Sequence, residues 1–286
     1  MPESTYIKMS NFFFIREDRA LLNDVSISVG KGKTTVILGI AGSGKTTLLK
    51  AIAGLLIPDS GTLEFNGKNI ADFSKQDTLK FRKKDGFVFQ DAALWANLSI
   101  EDNLSLPIQF HYPDIPKEAI HEKIDYWIKR IGFWDTIKGR PAAYSNGERK
   151  MISFIRALIS EPTTLYLDAP TEMVDNSGTN QIIEILSEQK KKGCTIIVVT
   201  QLPEIITTLA DDIIVIDEGK IIEFGPVDKI LSSENLSTRR VLSHVRKTMG
   251  IDFNKLMEDV DSVLNEEDVF DIEGIIESES NLGQEE

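Results

Sequence analysis

Nine consecutive residues, Gly39-Ile40-Ala41-Gly42-Ser43-Gly44-Lys45-Thr46-Thr47, carry the clearest chemistry in this chain. They fit G-x-x-x-x-G-K-S/T, a loop built to hold phosphate. Glycines let a backbone approach an anion because no Cβ intervenes. The exposed N–H groups and the positive end of the following helix then meet the phosphate oxygens. Lys45 supplies a point charge for the β- and γ-phosphates, and the Thr46 hydroxyl a ligand for Mg2+. A second element is Leu165-Tyr166-Leu167-Asp168, an apolar run ending in a carboxylate. An Asp at the carboxyl end of a strand stands where a parallel α/β sheet binds its ligand, and it can hold Mg2+ through water.

Such residues need a strand before the loop and a helix after it. The β-branched run Thr34 to Leu38 and the helical pattern Leu48-Leu49-Lys50-Ala51-Ile52-Ala53 supply them. Strands are predicted at Gly86 to Gln90, Thr164 to Leu167, Thr195 to Thr200 and Ile213 to Ile216, with a helix at Gln181 to Lys190. Strands alternating with helices imply a parallel sheet. Tyr6 to Ile15, Leu21 to Val29 and Thr62 to Phe65 predict a small antiparallel edge. Pro58-Asp59-Ser60-Gly61 reads as a turn and Asn66-Gly67 as a hairpin. From Leu94 to Ser160 strand signals vanish, while apolar residues recur at helical spacing in Ile120 to Ile131 and Met151 to Ile159.

The predicted class is therefore α/β: a P-loop NTPase with a RecA-like parallel core, an antiparallel β edge and an inserted helical subdomain. The core takes residues 1–90 and 161–230, the helical subdomain 91–160, and an acidic C-terminal extension 231–286.

Of the net charge of −13 over 286 residues, −12 falls in residues 251–286, where thirteen Asp or Glu face the single Lys255. The remaining body is near neutral, which argues against nucleic acid as a partner. Apolar residues interleave the acids, with Leu256, Val260, Val263 and Leu264 spaced for one helical face. The tail thus reads either as a solvated end or as a docking segment. No apolar run approaches the ~18 residues of a membrane span. The N-terminus lacks the basic start and apolar stretch of a signal peptide. The single Cys194 excludes an internal disulfide framework and heads an apolar strand, as a buried inert thiol would. These features together suit a reducing cytosol.

With these elements in order, the chain resembles the ATP-binding subunits of ABC transporters from about Tyr6 to Gly225. Gln90 stands at the family's Q-loop glutamine, which contacts Mg2+ and the attacking water. Tyr144-Ser145-Asn146-Gly147-Glu148 occupies the signature L-S-G-G-Q. Leu167-Asp168-Ala169-Pro170-Thr171 matches L-D-E-P-T, Val174-Asp175 the D-loop, and Gln201 the switch histidine. The resemblance implies that two cassettes sandwich two ATPs head to tail, each nucleotide meeting the phosphate loop of one chain and the signature of the other. It implies ATP and Mg2+ as cofactors, with Thr46, Gln90 and Asp168 near the metal. It also implies a second cassette and a membrane permease as partners, and a peripheral place on the cytoplasmic face of the membrane.

Two departures bear on catalysis. Ala169 replaces the glutamate that manages the attacking water, and Gln201 replaces the histidine. Loss of a general base costs ~10²–10⁴ in rate, so the expectation is a site that binds MgATP and hydrolyses it slowly or not at all. In the signature, Ser145 and Gly147 persist, Asn146 must fit where backbone would approach phosphate, and Glu148 brings a carboxylate near it. Arg16 stands where the family often stacks an aromatic on adenine, with Phe14 nearby; an exposed loop arginine is the other reading.

Phe89-Gln90-Asp91-Ala92-Ala93-Leu94-Trp95, continuing to Glu101-Asp102-Asn103-Leu104 and Pro107-Ile108, is similar to the corresponding stretch of Mla and Mce-type lipid transport ATPases. That similarity implies that Leu94 and Trp95 meet the permease's coupling helix; the alternative is that they are core of the helical subdomain. The function expected is the ATP-binding subunit of a lipid transporter with an impaired hydrolytic site. The alternative is a non-transport ABC protein acting as an ATP-dependent clamp. A P-loop kinase would leave the signature-like segment and Gln90 unexplained.

Overall fold

A computed structural model describes residues 5–132 and 137–248 of the chain. Its elements run β1 (Thr5–Arg16), β2 (Arg19–Gly30), β3 (Thr34–Leu38), α1 (Lys45–Ile52), β4 (Ser60–Phe65) and β5 (Lys68–Asn69). There follow α2 (Lys75–Arg82), β6 (Asp85–Val88), α3 (Ile100–His111), α4 (Lys117–Arg130), α5 (Asn146–Leu158) and β7 (Thr164–Asp168). The chain continues through α6 (Asn176–Lys191), β8 (Thr195–Val199), α7 (Pro203–Leu209), β9 (Asp212–Asp217), β10 (Lys220–Pro226), α8 (Val227–Leu231) and α9 (Leu236–Thr248).

Two sheets form, in the orders β2-β1-β4-β5 and β10-β9-β3-β8-β7-β6. The first is antiparallel throughout. In the second, β9, β3, β8, β7 and β6 run parallel, and β10 closes one edge antiparallel to β9. The expected antiparallel edge is thus a sheet of its own, and the larger sheet is mixed. β3, β7 and β8 are buried at every residue, as parallel strands covered on both faces must be.

Alternation along these strands divides the core. Leu165, Leu167, Ile196, Val198, Ile213 and Val215 point to one face, where α3 to α7 pack. Ile37, Tyr166, Ile197, Val199, Ile214 and Ile216 point to the other, against α1 and the antiparallel sheet. Helix α1 is held between the two sheets by Leu48, Leu49, Ala51 and Ile52, all fully buried. The Asn66-Gly67 hairpin forms as read, both residues at positive φ (48° and 76°).

Residues 91–132 and 137–160 hold helices and no strand, as expected of the helical insertion. Among the described residues no helix is long and apolar enough to cross a membrane. Residues 251–286, with both readings of the acidic tail, lie outside the described residues.

Candidate nucleotide site

The phosphate loop joins β3 to α1 through glycines at positions where a side chain would clash or strain the backbone. A Cβ on Gly39 would lie 2.4 Å from the Ile216 carbonyl oxygen. Gly44, the residue before α1, sits at φ 103°, in the left-handed region that glycine tolerates. The loop is braced by the Gly219 N–H, which donates to the Ser43 carbonyl at 3.0 Å.

Ala41 to Thr47 line a cleft of 1090 Å³ shared with Gln90, Asp168, Ala169, Glu172, Gln201, Arg19, Leu21 and Glu218. Lys45 Nζ donates to the Ile40 carbonyl at 2.6 Å, curling over the loop toward the space a phosphate would take. Burial lowers the pKa of Lys45, and the Asp168 carboxylate opposes that shift. The Thr46 hydroxyl donates to Asp168 Oδ1 at 3.2 Å across the gap between α1 and β7. Burial raises the pKa of Asp168, which Thr46, Lys50 and Lys150 counteract.

Among the described residues no group of three or more His, Cys, Asp or Glu could hold a metal unaided. A hydroxyl, one carboxylate and an amide oxygen suit Mg2+, which keeps waters and takes its other ligands from phosphate. The Thr46, Asp168 and Gln90 oxygens fit that role.

Ala169 follows Asp168 at φ 47°, its N–H donating to the Val199 carbonyl at 3.0 Å. Its methyl leaves no acceptor at that position. Gln201 Nε2 donates to the Gly39 carbonyl at 3.2 Å, so the switch-position side chain is tied to the start of the loop. Gln90 Nε2 donates to Glu172 Oε2 at 3.2 Å.

The signature-like residues are elsewhere. Ser145, Gly147 and Glu148 line a separate depression of 230 Å³ with Met173, Val174 and Asp175. Ser145 and Glu148 form a capping box on α5: Glu148 N–H donates to Ser145 Oγ at 3.2 Å, and Ser145 N–H to Glu148 Oε2 at 2.7 Å. The Glu148 carboxylate thus bonds the Ser145 backbone at the helix end. Asn146 is exposed, its Oδ1 accepting from the Arg149 guanidinium. Asp175 caps α6, accepting from the Gly178 N–H at 2.7 Å.

The structure bears on readings that the sequence left open. Arg16 does not reach the cleft; its guanidinium stacks on Phe14 at 3.9 Å and pairs with Asp59 at 3.8 Å. The wall there is Arg19 to Leu21. Leu94 packs partly buried against the core, whereas Trp95 is 61% exposed. Trp95 shares a groove of 530 Å³ with Phe89, Pro107 and Phe110. Two residues that sequence reasoning passed over matter here. Lys150, the fifth residue of α5, is buried and donates to the carbonyls of Phe89 (3.2 Å) and Gln90 (2.6 Å). Glu172 lies one turn beyond Ala169, where a carboxylate in an otherwise matched segment was the available signal.

A phosphate loop at the carboxyl edge of a parallel sheet, facing a strand-end Asp, defines a nucleotide-binding P-loop protein. The comparisons narrow this. A family model described as ABC transporter matches residues 22–172. The methionine import ATP-binding protein MetN of Pasteurella multocida is 31% identical over 246 residues, covering 85% of this chain and 70% of that protein. MetN 2 of Paraburkholderia xenovorans is 29% identical over 224 residues, covering 78% of this chain and 58% of its own length. The chain therefore spans between 58% and 70% of these relatives. Among solved structures, a dimeric bacterial ABC transporter cassette matches at TM-score 0.70 and 25% identity, covering 77% of this chain and 98% of the other. CbiO1 from Clostridium perfringens, part of an ABC transporter complex, matches at TM-score 0.66 and 28% identity, covering 90% and 100%. The chain belongs to the ABC transporter ATP-binding cassette family.

Proposed function

We propose that this chain is the nucleotide-driven subunit of an ABC transporter, binding MgATP between its own phosphate loop and the signature of a second cassette. One observation carries the reading. The cleft of Lys45, Thr46 and Asp168 contains no signature residue, and Ser145 and Gly147 line a separate depression. Each half-site is incomplete without another cassette, and a head-to-tail pair completes both. The core (1–90 and 161–230) carries the loop and the helical part (91–160) presents the signature.

ATP and Mg2+ are the cofactors, with Thr46, Gln90 and Asp168 around the metal. Hydrolysis at this chain's own loop is slow because Ala169 and Gln201 replace the groups that handle the attacking water. The groove under Trp95 and Phe110 takes the permease's coupling segment, an apolar helix-in-groove contact. On this reading the chain works at the cytoplasmic face of the membrane.

Cargo is read from weaker signals. Phe89 to Ile108 favours a phospholipid system of the Mla/Mce kind, whereas the curated relatives above are methionine importers. Ala169 also favours a second reading, an ABC clamp that closes on ATP without driving transport.

Purifying the full chain with its partners, then measuring ATP turnover and partner mass together, tests all of this. A permease in the complex supports a transporter, and its bound cargo separates lipid from methionine. A complex without permease that closes on ATP supports the clamp. A chain that binds no ATP refutes both.

A further inference from the structure

Three carboxylates line the cleft among the described residues: Asp168, Glu172 and Glu218. Asp168 takes the Thr46 hydroxyl and so belongs to the metal side. Glu218 precedes Gly219, which is bonded to Ser43 on the loop's far flank beside Leu21. Glu172 alone stands on the wall of Gln90, whose amide it accepts at 3.2 Å.

The backbone explains how it gets there. The Glu172 N–H donates to the Ala169 carbonyl at 3.2 Å, so the chain turns back and sets residue 172 beside residue 169. Ala169 at φ 47° and Met173 at φ 64° bracket that turn. Glu172 is exposed and lines the cleft together with Ala169. The buried Lys150 ammonium is electrostatically coupled to both Glu172 and Asp168, and favours negative charge on this wall.

We propose that Glu172 is the carboxylate that accepts the proton of the attacking water at this chain's own nucleotide, in place of the group missing at Ala169. The proposal rests on the reading of the cleft as an ATP site. Water oxygen forms a bond to the γ-phosphorus while the bond from that phosphorus to the β,γ-bridging oxygen breaks. The bridging oxygen keeps the electron pair and leaves as part of ADP. One water proton passes to Glu172 and from there to solvent; the other stays on the released phosphate. Gln90, bonded to Glu172, orients the same water. A base held by this longer route should act more slowly than a glutamate at residue 169 would.

The test uses the full chain with its co-purified partners, the loop lysine of any second, different cassette being substituted so that only this site turns over. ATP affinity and single-turnover hydrolysis are measured for wild type, Glu172→Gln, Ala169→Glu and the double variant. Glu172→Gln should bind ATP as wild type does and hydrolyse it ~10²-fold more slowly, the usual worth of a general base. Adding Ala169→Glu to Glu172→Gln should restore turnover to the wild-type rate or above, which a folding defect at residue 172 would not permit. Wild-type turnover in Glu172→Gln, no rescue in the double variant, or ATP binding without any wild-type turnover would each overturn the proposal. A wild-type chain that fails to bind ATP would overturn the reading of the cleft itself.

Discussion

At the scale of single residues, the proposed function separates holding from cutting. Lys45, bent over the loop by its bond to Ile40, holds; Lys45→Ala should abolish ATP binding in equilibrium titrations while leaving the thermal midpoint within a few degrees of wild type. Ala169 and Gln201 concern cutting. Ala169→Glu with Gln201→His should raise turnover by about 10²-fold in steady-state assays of the assembled complex. Residue 169 already occupies a positive φ, so Glu adds little backbone cost beyond what Ala bears there. The binding residues were readable from sequence because a phosphate loop is contiguous and its spacing is set by backbone geometry. Glu172 and Lys150 were not. The first is set beside Gln90 by a turn between Ala169 and Met173, both at positive φ. The second sits on a helix face whose neighbours Met151, Ile152 and Phe154 read as plain core.

At the scale of elements, two junctions can be tested. The N-terminus of α5 lies so close to the loop before α6 that a Cβ on Gly147 would meet the Met173 carbonyl oxygen at 2.5 Å. Gly147→Ala should therefore cost about 1–3 kcal/mol in chemical denaturation, as overpacking against backbone does. At the start of β6, the Asp85 carboxyl is almost wholly buried, 3.3 Å from Arg82, with Oδ1 unpaired. Burial outweighs Arg82 and pushes its pKa up to about 7. In the unfolded chain the same group ionises near pH ~3.9. The folded state thus holds an extra proton between those values, and stability falls as pH rises through that window. Asp85→Asn should flatten the slope, so melting curves of the two proteins should converge near pH ~4 and diverge in the variant's favour above pH ~7. Long apolar strands were legible at this scale, but α2, α7 and β10 were not. In α2 no residue is buried, so no apolar period exists to find. In β10 most residues are half-buried, which blurs the alternation that marks a strand.

At the scale of the whole molecule, the proposed half-sites on separate surfaces predict a partner. If the partner is a second copy, sedimentation with MgATP should show the mass double, and Ser145→Ala should weaken that association through lost contact to the neighbour's phosphate. If it is a different cassette, the mass should be that of a mixed pair, and its sequence should carry the Glu and His absent here. The parallel core and the helical insertion were visible in the alternation of strand and helix signals. The split into two sheets was not, because pairing between distant strands leaves no local trace.

The buried ammonium of Lys150 joins α5 to the loop of Gln90, which lines the cleft. In mechanical terms the two are a single crank. A displacement of α5 would therefore reach Gln90 through one buried charged contact, with no solvent between.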